Sequence, residues 1–259
     1  MSAKGDTLNS PDSGCLYEVF SGIQGEGLLV GERQVFVRLA GCNLACLFCD
    51  TPDARASSDT CRIEQTAGQR DFSIIPNPVT SSDAARYIEH LEEIAGLHHS
   101  IVFTGGEPLM QAGFVAQVAN SLKNSGFRIM LETNGSLPDM LPEVIPFMDM
   151  ISMDIKLRSV TGGPDLFHEH ELFLHSIKSA KVQVKIILSS STSDEELHQA
   201  VELLETVDPA LPLVLQPVIP RSGVLAPSPA QILGWQAQCK SRLRNVRVIP
   251  QCHKIIGQL

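Results

Sequence analysis

Residues 101–135, IVFTGGEPLMQAGFVAQVANSLKNSGFRIMLETNG, carry the reading that decides the fold. An apolar run rich in β-branched residues (101–103) breaks at a glycine-rich polar turn. An amphipathic stretch (114–124) follows, then a second apolar run (128–131) that stops at Glu132-Thr133-Asn134-Gly135. Short apolar strands alternating with amphipathic helices are βαβ units, and such units build a parallel sheet. The alternation continues to the end of the chain. Apolar runs recur at 150–153, 182–188, 213–215 and 246–249, with helix-like segments at 138–147, 166–180, 194–207 and 229–242.

Upstream, 34–39 reads as a further strand and 82–95 as a helix with Ser81 or Ser82 at its N-cap. The strands number about six to seven, fewer than the eight of a closed barrel, and right-handed connections curl such a sheet. The expected class is α/β: an incomplete (β/α) barrel with mostly parallel strands. No internal repeat stands out. Residues 1–14 read as a disordered tail and 15–259 as one domain. Within it 52–80, with Pro52, Pro76 and Pro78 among many Ser, Thr and Asp, read as an irregular insertion.

The formal net charge of -9 argues against a basic stripe that tracks a nucleic-acid backbone, so a small-molecule substrate is expected. No apolar stretch is long enough to span a bilayer, and the start of the chain carries no targeting pattern, which makes the cytoplasm the expected compartment. The seven cysteines are an odd set, and three of them bunch together. That favours metal or cluster ligation over a disulfide framework.

The bunched three lie in Gly41-Cys42-Asn43-Leu44-Ala45-Cys46-Leu47-Phe48-Cys49-Asp50-Thr51, a C-x3-C-x2-C loop. Three thiolates can hold three corners of an iron–sulfur cubane and leave one iron open. The spacing leaves two other readings. One is a structural zinc site completed by Cys61, Cys239, Cys252 or a histidine; the other is three unrelated core cysteines. The polar motifs 104–108, 132–135, 154–156, 216–217 and 251–254 all fall just past the ends of apolar runs. In a parallel α/β sheet that edge binds ligands. His168, His170 and His175 lie in a charged helix-like segment and read as a solvated face; His98 and His99 read as loop.

The C-x3-C-x2-C loop with Phe48 before its last cysteine, together with Thr104-Gly105-Gly106-Glu107-Pro108, resembles the radical S-adenosylmethionine (SAM) superfamily. Within it, Glu18–Gly27, Val35–Leu44, Cys49-Asp50-Thr51, Glu132–Gly135 and Val248–Lys254 are similar to the 7-carboxy-7-deazaguanine synthases. The resemblance implies conversion of 6-carboxy-5,6,7,8-tetrahydropterin to 7-carboxy-7-deazaguanine with loss of ammonia, a step towards queuosine. It implies a 4Fe-4S cluster on Cys42, Cys46 and Cys49, SAM, Mg2+ at Thr51, a reductant such as flavodoxin or ferredoxin, and a homodimer. Thr51 reads equally as a helix N-cap. Other radical SAM activities, a peptide maturase or a glycyl-radical activase, and a zinc-binding scaffold are the competing readings.

For the pterin the resemblance points to Ile23, Gln24, Gly25, Glu26, Arg38, Thr104 and His253. Arg38 sits in an apolar strand, where an unpaired charge is costly, and its fork suits a substrate carboxylate. A solvent-facing strand position and an ordinary glycine turn at 23–27 are the plain readings. For SAM the resemblance points to Phe48, Gly106, Glu107, Glu132, Asn134, Ser152, Asp154, Lys156 and Gln216. Helix starts and turns are the plain readings of these strand-end polar groups.

Overall fold

In the computed structural model, which describes residues 10–177 and 181–258, the strand–helix alternation is realised as a curved open sheet. The chain begins with β1 (Ser13–Gly14), β2 (Leu16–Ile23), β3 (Arg33–Leu39), β4 (Thr60–Glu64), β5 (Phe72–Pro76), β6 (Val79–Thr80) and α1 (Ser81–His90). Then come β7 (Ser100–Gly105), α2 (Ala112–Asn124), β8 (Ile129–Thr133), α3 (Leu141–Val144), β9 (Met150–Ile155), α4 (Arg158–Thr161) and α5 (Phe167–Ser176). The chain ends with β10 (Lys181–Leu188), α6 (Asp194–Val207), β11 (Leu213–Pro217), α7 (Pro229–Lys240), β12 (Val246–Val248) and α8 (Cys252–Ile255).

Among the described residues ten strands form the sheet, in the order β12-β11-β10-β9-β8-β7-β3-β2-β4-β5. Every pairing from β3 through β7 to β12 is parallel, and the two ends of the sheet do not meet. This is the incomplete barrel that the sequence implies. Its helices start on local signals. Thr80, not Ser81 or Ser82, caps α1 by accepting from Asp83 N; Ser193 caps α6; and Ser228 with Gln231 forms a capping box on α7.

Three expectations need correction. The insertion 52–80 is not irregular: β4 and β5 form an antiparallel hairpin that extends the sheet beyond β2. Within it, the segment 52–55 is a 3-10 turn. β2, antiparallel to β3, has no counterpart among the expected strands. Of the expected tail, residues 1–9 lie outside the described ones, whereas Ser13–Gly14 pair with Val79–Thr80. The helix expected over 166–180 is described as Phe167–Ser176, and 178–180 lie outside the described residues.

Alternate residues of each strand divide two cores. The outward set, including Val35, Val37, Ile101, Phe103 and Leu131, packs with Val115, Val118 and Leu122 of α2. The inward set is smaller. Phe20, Phe36, Val102 and Met130 fill the barrel floor, with Phe20 and Phe36 stacked at 5.1 Å. Above that floor the inward positions turn polar. No helix among the described residues is long and apolar enough to cross a membrane.

Because the outward face is the main core, Phe103→Ala is expected to destabilise the apo-protein by roughly 3–5 kcal/mol. Ile74→Ala, on the exposed side of the hairpin, should change stability by less than about 0.5 kcal/mol. Urea unfolding followed by circular dichroism measures both.

Candidate active site

The parallel strands deliver their carboxyl ends to one cleft. Cys42, Cys46, Cys49 and Phe48 form one wall; the loops after β7, β8, β9 and β11 form a second; and residues 23–26 with Gln251, His253 and Lys254 form a third. Main-chain contacts dock the cysteine loop onto the sheet. Gly41 N donates to Ala54 O at 2.8 Å and Cys42 N to Arg55 O at 3.1 Å. Glu107 N donates to Gly41 O at 2.8 Å, and Gly106 N to Leu39 O at 3.1 Å. A Cβ on Gly106 would lie 1.8 Å from Gly41 O, so no other residue fits there. Farther along the loop, Leu47 N donates to Thr161 O at 3.1 Å, and Asn43 bonds both Asn134 and Ser136.

The donor set fits a cubane with an open iron. Among the described residues no fourth cysteine lines the cleft: Cys61 and Cys239 are buried elsewhere, their thiols pushed up to about 11 and about 12 by burial. Nor are the three sulfurs gathered as for one small ion. The trio of ligand atoms that lies within 4.8 Å of one another belongs instead to Glu26, Asp50 and His253. Tetrahedral zinc, with Zn–S bonds of ~2.3 Å, would draw its thiolates closer than that. Burial raises the Cys42 and Cys46 thiols, so a bound iron would supply the positive charge needed to make them thiolates.

A chain of alternating charges crosses the cleft. Gln251 donates to Glu26 Oε1 at 2.7 Å, and Glu26 Oε2 pairs with Lys185. Lys185 Nζ reaches Asp154 Oδ1 at 3.3 Å, and Asp154 Oδ2 pairs with Lys156 Nζ at 2.7 Å. Lys156 in turn lies 5.6 Å over the Phe48 ring. Each member offsets the desolvation of the next. Lys185, against desolvation, holds Glu26 below its ordinary value, and Asp154 and Glu26 hold Lys185 well above its own.

Arg38 faces inward with Phe36, so the solvent-facing reading of this strand fails. Its Nε donates to Glu18 Oε1 at 2.9 Å, and Arg62 holds the other Glu18 oxygen. The Arg38 guanidinium also lies 5.8 Å over Phe20. Glu132 accepts from Thr104 Oγ1 at 2.8 Å and from Gln24 Nε2 at 2.9 Å, and burial pushes its carboxyl up. Glu107, fully buried, accepts from Leu109 N, Thr133 Oγ1 and Asn134 N, and so ties the loop after β7 to the turn after β8. Thr51 stands at the N-cap position of the 52–55 turn, but its side chain makes no capping bond. Gly25 is pressed on His253: a Cβ there would lie 2.1 Å from Nδ1, and Cys252 N donates to Gly25 O at 2.8 Å. Gln216 Oε1 is buried, lines the cleft and lacks a partner, so a ligand N–H or O–H would satisfy it.

Of the residues singled out in the sequence, all but Ser152 line this cleft. Ser152 lies deeper, 1 % exposed, where it accepts from Gln183 Nε2 at 2.9 Å. His170 departs from the solvated-face reading. It is buried, its ring pushed down to about 4 by burial, and bonded through Nε2 to Asn134 O at 3.1 Å. His168 and His175 are exposed as expected. Lys185 and Phe36 escaped the sequence reading. The signal for Lys185 was available: it is the one cation inside the apolar run 182–188, VQVKIIL.

Comparison with known proteins places these features in context. The model of the radical SAM superfamily matches residues 37–204. The chain is 42% identical over 245 residues to the 7-carboxy-7-deazaguanine synthase of Geobacter sulfurreducens, covering 94% of this chain and 97% of that one. It is 35% identical to the enzyme of that name from Methanopyrus kandleri, over 93% and 92% of the two chains. The crystal structure of QueE from Escherichia coli has the same fold, with a TM-score of 0.60 at 20% identity over 92% of this chain and 94% of that one.

Lys185→Met removes the cation between two desolvated carboxylates and is expected to cost roughly 3–5 kcal/mol near neutral pH. Because Lys185 holds Glu26 below its ordinary 4.5, this stabilisation is present above that value and is lost as pH falls through the folded-state value. The gap between wild type and variant should therefore narrow on acidification. Denaturant titrations at several pH values measure it.

Proposed function

Since the chain belongs to the radical SAM superfamily, and within it to the 7-carboxy-7-deazaguanine synthases, we propose that it converts 6-carboxy-5,6,7,8-tetrahydropterin to 7-carboxy-7-deazaguanine with release of ammonia. The observation that carries this reading is a single cleft with three thiols, and no fourth among the described residues, on one wall and an acceptor-rich pterin wall facing them.

Cys42, Cys46 and Cys49 would hold the 4Fe-4S cluster. The reduced cluster and SAM together supply one-electron chemistry: reductive opening of the sulfonium and hydrogen abstraction at the pterin C6. The protein's part is to bind, orient and exclude water. SAM would lie along Gly106, Asn134, Asp154, Lys156 and Gln216, with Phe48 beside it. Lys156 suits the methionine carboxylate, and the orphaned Gln216 Oε1 suits an adenine amine or a ribose hydroxyl. Gly105 and Gly106 keep that wall free of side chains.

The pterin would lie against 23–26, Thr104, Arg38 and His253. Its N–H groups suit the main-chain carbonyls and the Glu26 carboxylate. Its carboxylate suits Arg38, whose Nε is spent on Glu18 and whose remaining guanidinium nitrogens would serve the substrate. Glu132 is bonded to Gln24 and Thr104, which groups it with the pterin set; its raised carboxyl is suited to hold a proton at that face. Ser152 acts only through Gln183. Magnesium would be shared between the Thr51 hydroxyl and the substrate carboxylate, with water completing its shell. A flavodoxin- or ferredoxin-type reductant would supply the electron.

The test is anaerobic incubation with SAM, a reductant and the carboxytetrahydropterin, with the deazaguanine product read by mass spectrometry. Intact cluster and SAM cleavage without that product would sink the substrate assignment. Arg38→Met should lower kcat/KM for the pterin by roughly 10–150-fold, the worth of a charged hydrogen bond, and leave the KM for SAM unchanged. Cys46→Ser protein should be purified without the brown colour and without activity.

A further inference from the structure

β3 presents Gln34, Phe36 and Arg38 to the barrel interior, and Gln34 is wholly buried at the lowest of these levels. Its Nε2 lies 3.8 Å from Met130 Sδ, a member of the apolar floor, so an apolar residue would suit the position on packing grounds alone. Instead Gln34 is the centre of an ordered chain of side-chain hydrogen bonds. Its Nε2 donates to Ser100 Oγ at 2.7 Å, and Ser100 Oγ lies 3.1 Å from His99 Nδ1. Its Oε1 accepts from Gln24 Nε2 at 2.9 Å. The same Gln24 nitrogen donates to Glu132 Oε1 at 2.9 Å, and Gln24 Oε1 accepts from Glu26 N at 3.0 Å.

Every hydrogen of the Gln24 amide is thereby committed. One goes to Gln34, the other to Glu132, and the oxygen takes the main chain of the pterin-facing loop. Without the acceptor at 34, one amide hydrogen is left in an apolar floor. Gln24 can then rotate or withdraw, and both the Glu132 carboxylate and the 24–26 loop lose their tie.

We propose that Gln34, remote from the cleft surface, is a positioning residue for the pterin: through Gln24 it fixes Glu132 and the 24–26 loop relative to each other. The effect is selective. The relay touches the pterin wall and none of the groups assigned to SAM or to the cluster. The charged groups around Glu132 are Lys185, which is ion-paired with Asp154, and Glu26; Thr104 is its remaining hydrogen-bond donor. None of these touches Gln34, so a change at 34 reaches Glu132 only by way of Gln24.

This inference rests on the function proposed above, and the experiment separates the two. Wild type that makes no deazaguanine overturns the function itself. With active wild type, Gln34→Met is compared for cluster absorbance, SAM cleavage in the absence of pterin, and KM for the pterin. The expected result is absorbance and uncoupled cleavage within about twofold of wild type and a pterin KM raised roughly tenfold, the worth of one hydrogen bond. An unchanged pterin KM, or a parallel fall in uncoupled cleavage, overturns the proposal, because a merely structural lesion would move all three. If Gln34→Met does not take up its cluster, Gln34→Asn replaces it: the amide is kept but its acceptor is withdrawn from Gln24 by one methylene, so the pterin KM should rise while cluster absorbance and uncoupled cleavage stay within about twofold of wild type. Gln34→Glu, which in either protonation state keeps an oxygen that accepts from Gln24, should leave the pterin KM within about twofold of wild type. An unchanged pterin KM in Gln34→Asn, or one raised as far in Gln34→Glu, overturns the proposal.

Discussion

The site depends on a main-chain contact between two loops far apart in sequence. Gly41 O accepts from Glu107 N, and Gly106 passes so close to Gly41 that a single added carbon would collide with its carbonyl. Together with the Asn43 side chain, this fixes the cysteine loop on the end of the sheet without using its thiols as anchors. It also sets the loop after β7 at a fixed height above the three thiols, because Glu107 continues from the same turn into hydrogen bonds with Thr133 and Asn134 that capture the turn after β8. A buried carboxylate with three donors is expensive to desolvate but hard to displace. One short segment, TGGEP, therefore couples three strand ends.

The cleft above the apolar floor is built from charge rather than packing. Glu26, Lys185, Asp154 and Lys156 alternate in sign across it, so no member faces low dielectric alone. The two ends of the chain serve different ligands in our reading: Glu26 the pterin, Lys156 the SAM carboxylate. A network of this kind holds its side chains in place before either ligand binds, which is the preorganisation that radical chemistry demands of a site meant to exclude water. The tail contributes through Gln251, which is bonded to Glu26, and His253, which closes over Gly25.

Beneath the charges lies a second polar element, the glutamine pair Gln24 and Gln34. It is neutral, so it adds orientation without a field of its own, and it stands where the inward face changes from aromatic floor to polar wall. The hairpin of β4 and β5 completes the architecture on the other flank. Arg62 from β4 shares Glu18 with Arg38, so a strand on the far side of β2 helps to aim the arginine assigned to the substrate.

Much was legible before any coordinates. The C-x3-C-x2-C loop is chemistry at short range: three thiols within eight residues need no tertiary information to suggest a cluster. The β-branched runs and the polar turns behind them gave the parallel sheet and the edge where ligands gather, because strand periodicity and turn chemistry are local. What escaped was set by depth and by pairing. Ser152 shares its face with Asp154, but two residues down a strand is about 6.6 Å farther from the edge, enough to bury it under Gln183. Gln34 and Lys185 acquire their meaning only from partners up to 159 positions away. The hairpin at 60–76 is stabilised by neighbours on β2, and its own composition reads as loop. Sequence by itself determined which atoms could bind iron and which way the sheet runs. Tertiary structure decided which polar groups reach the cleft, because that depends on register and on contacts between strands that are distant along the chain.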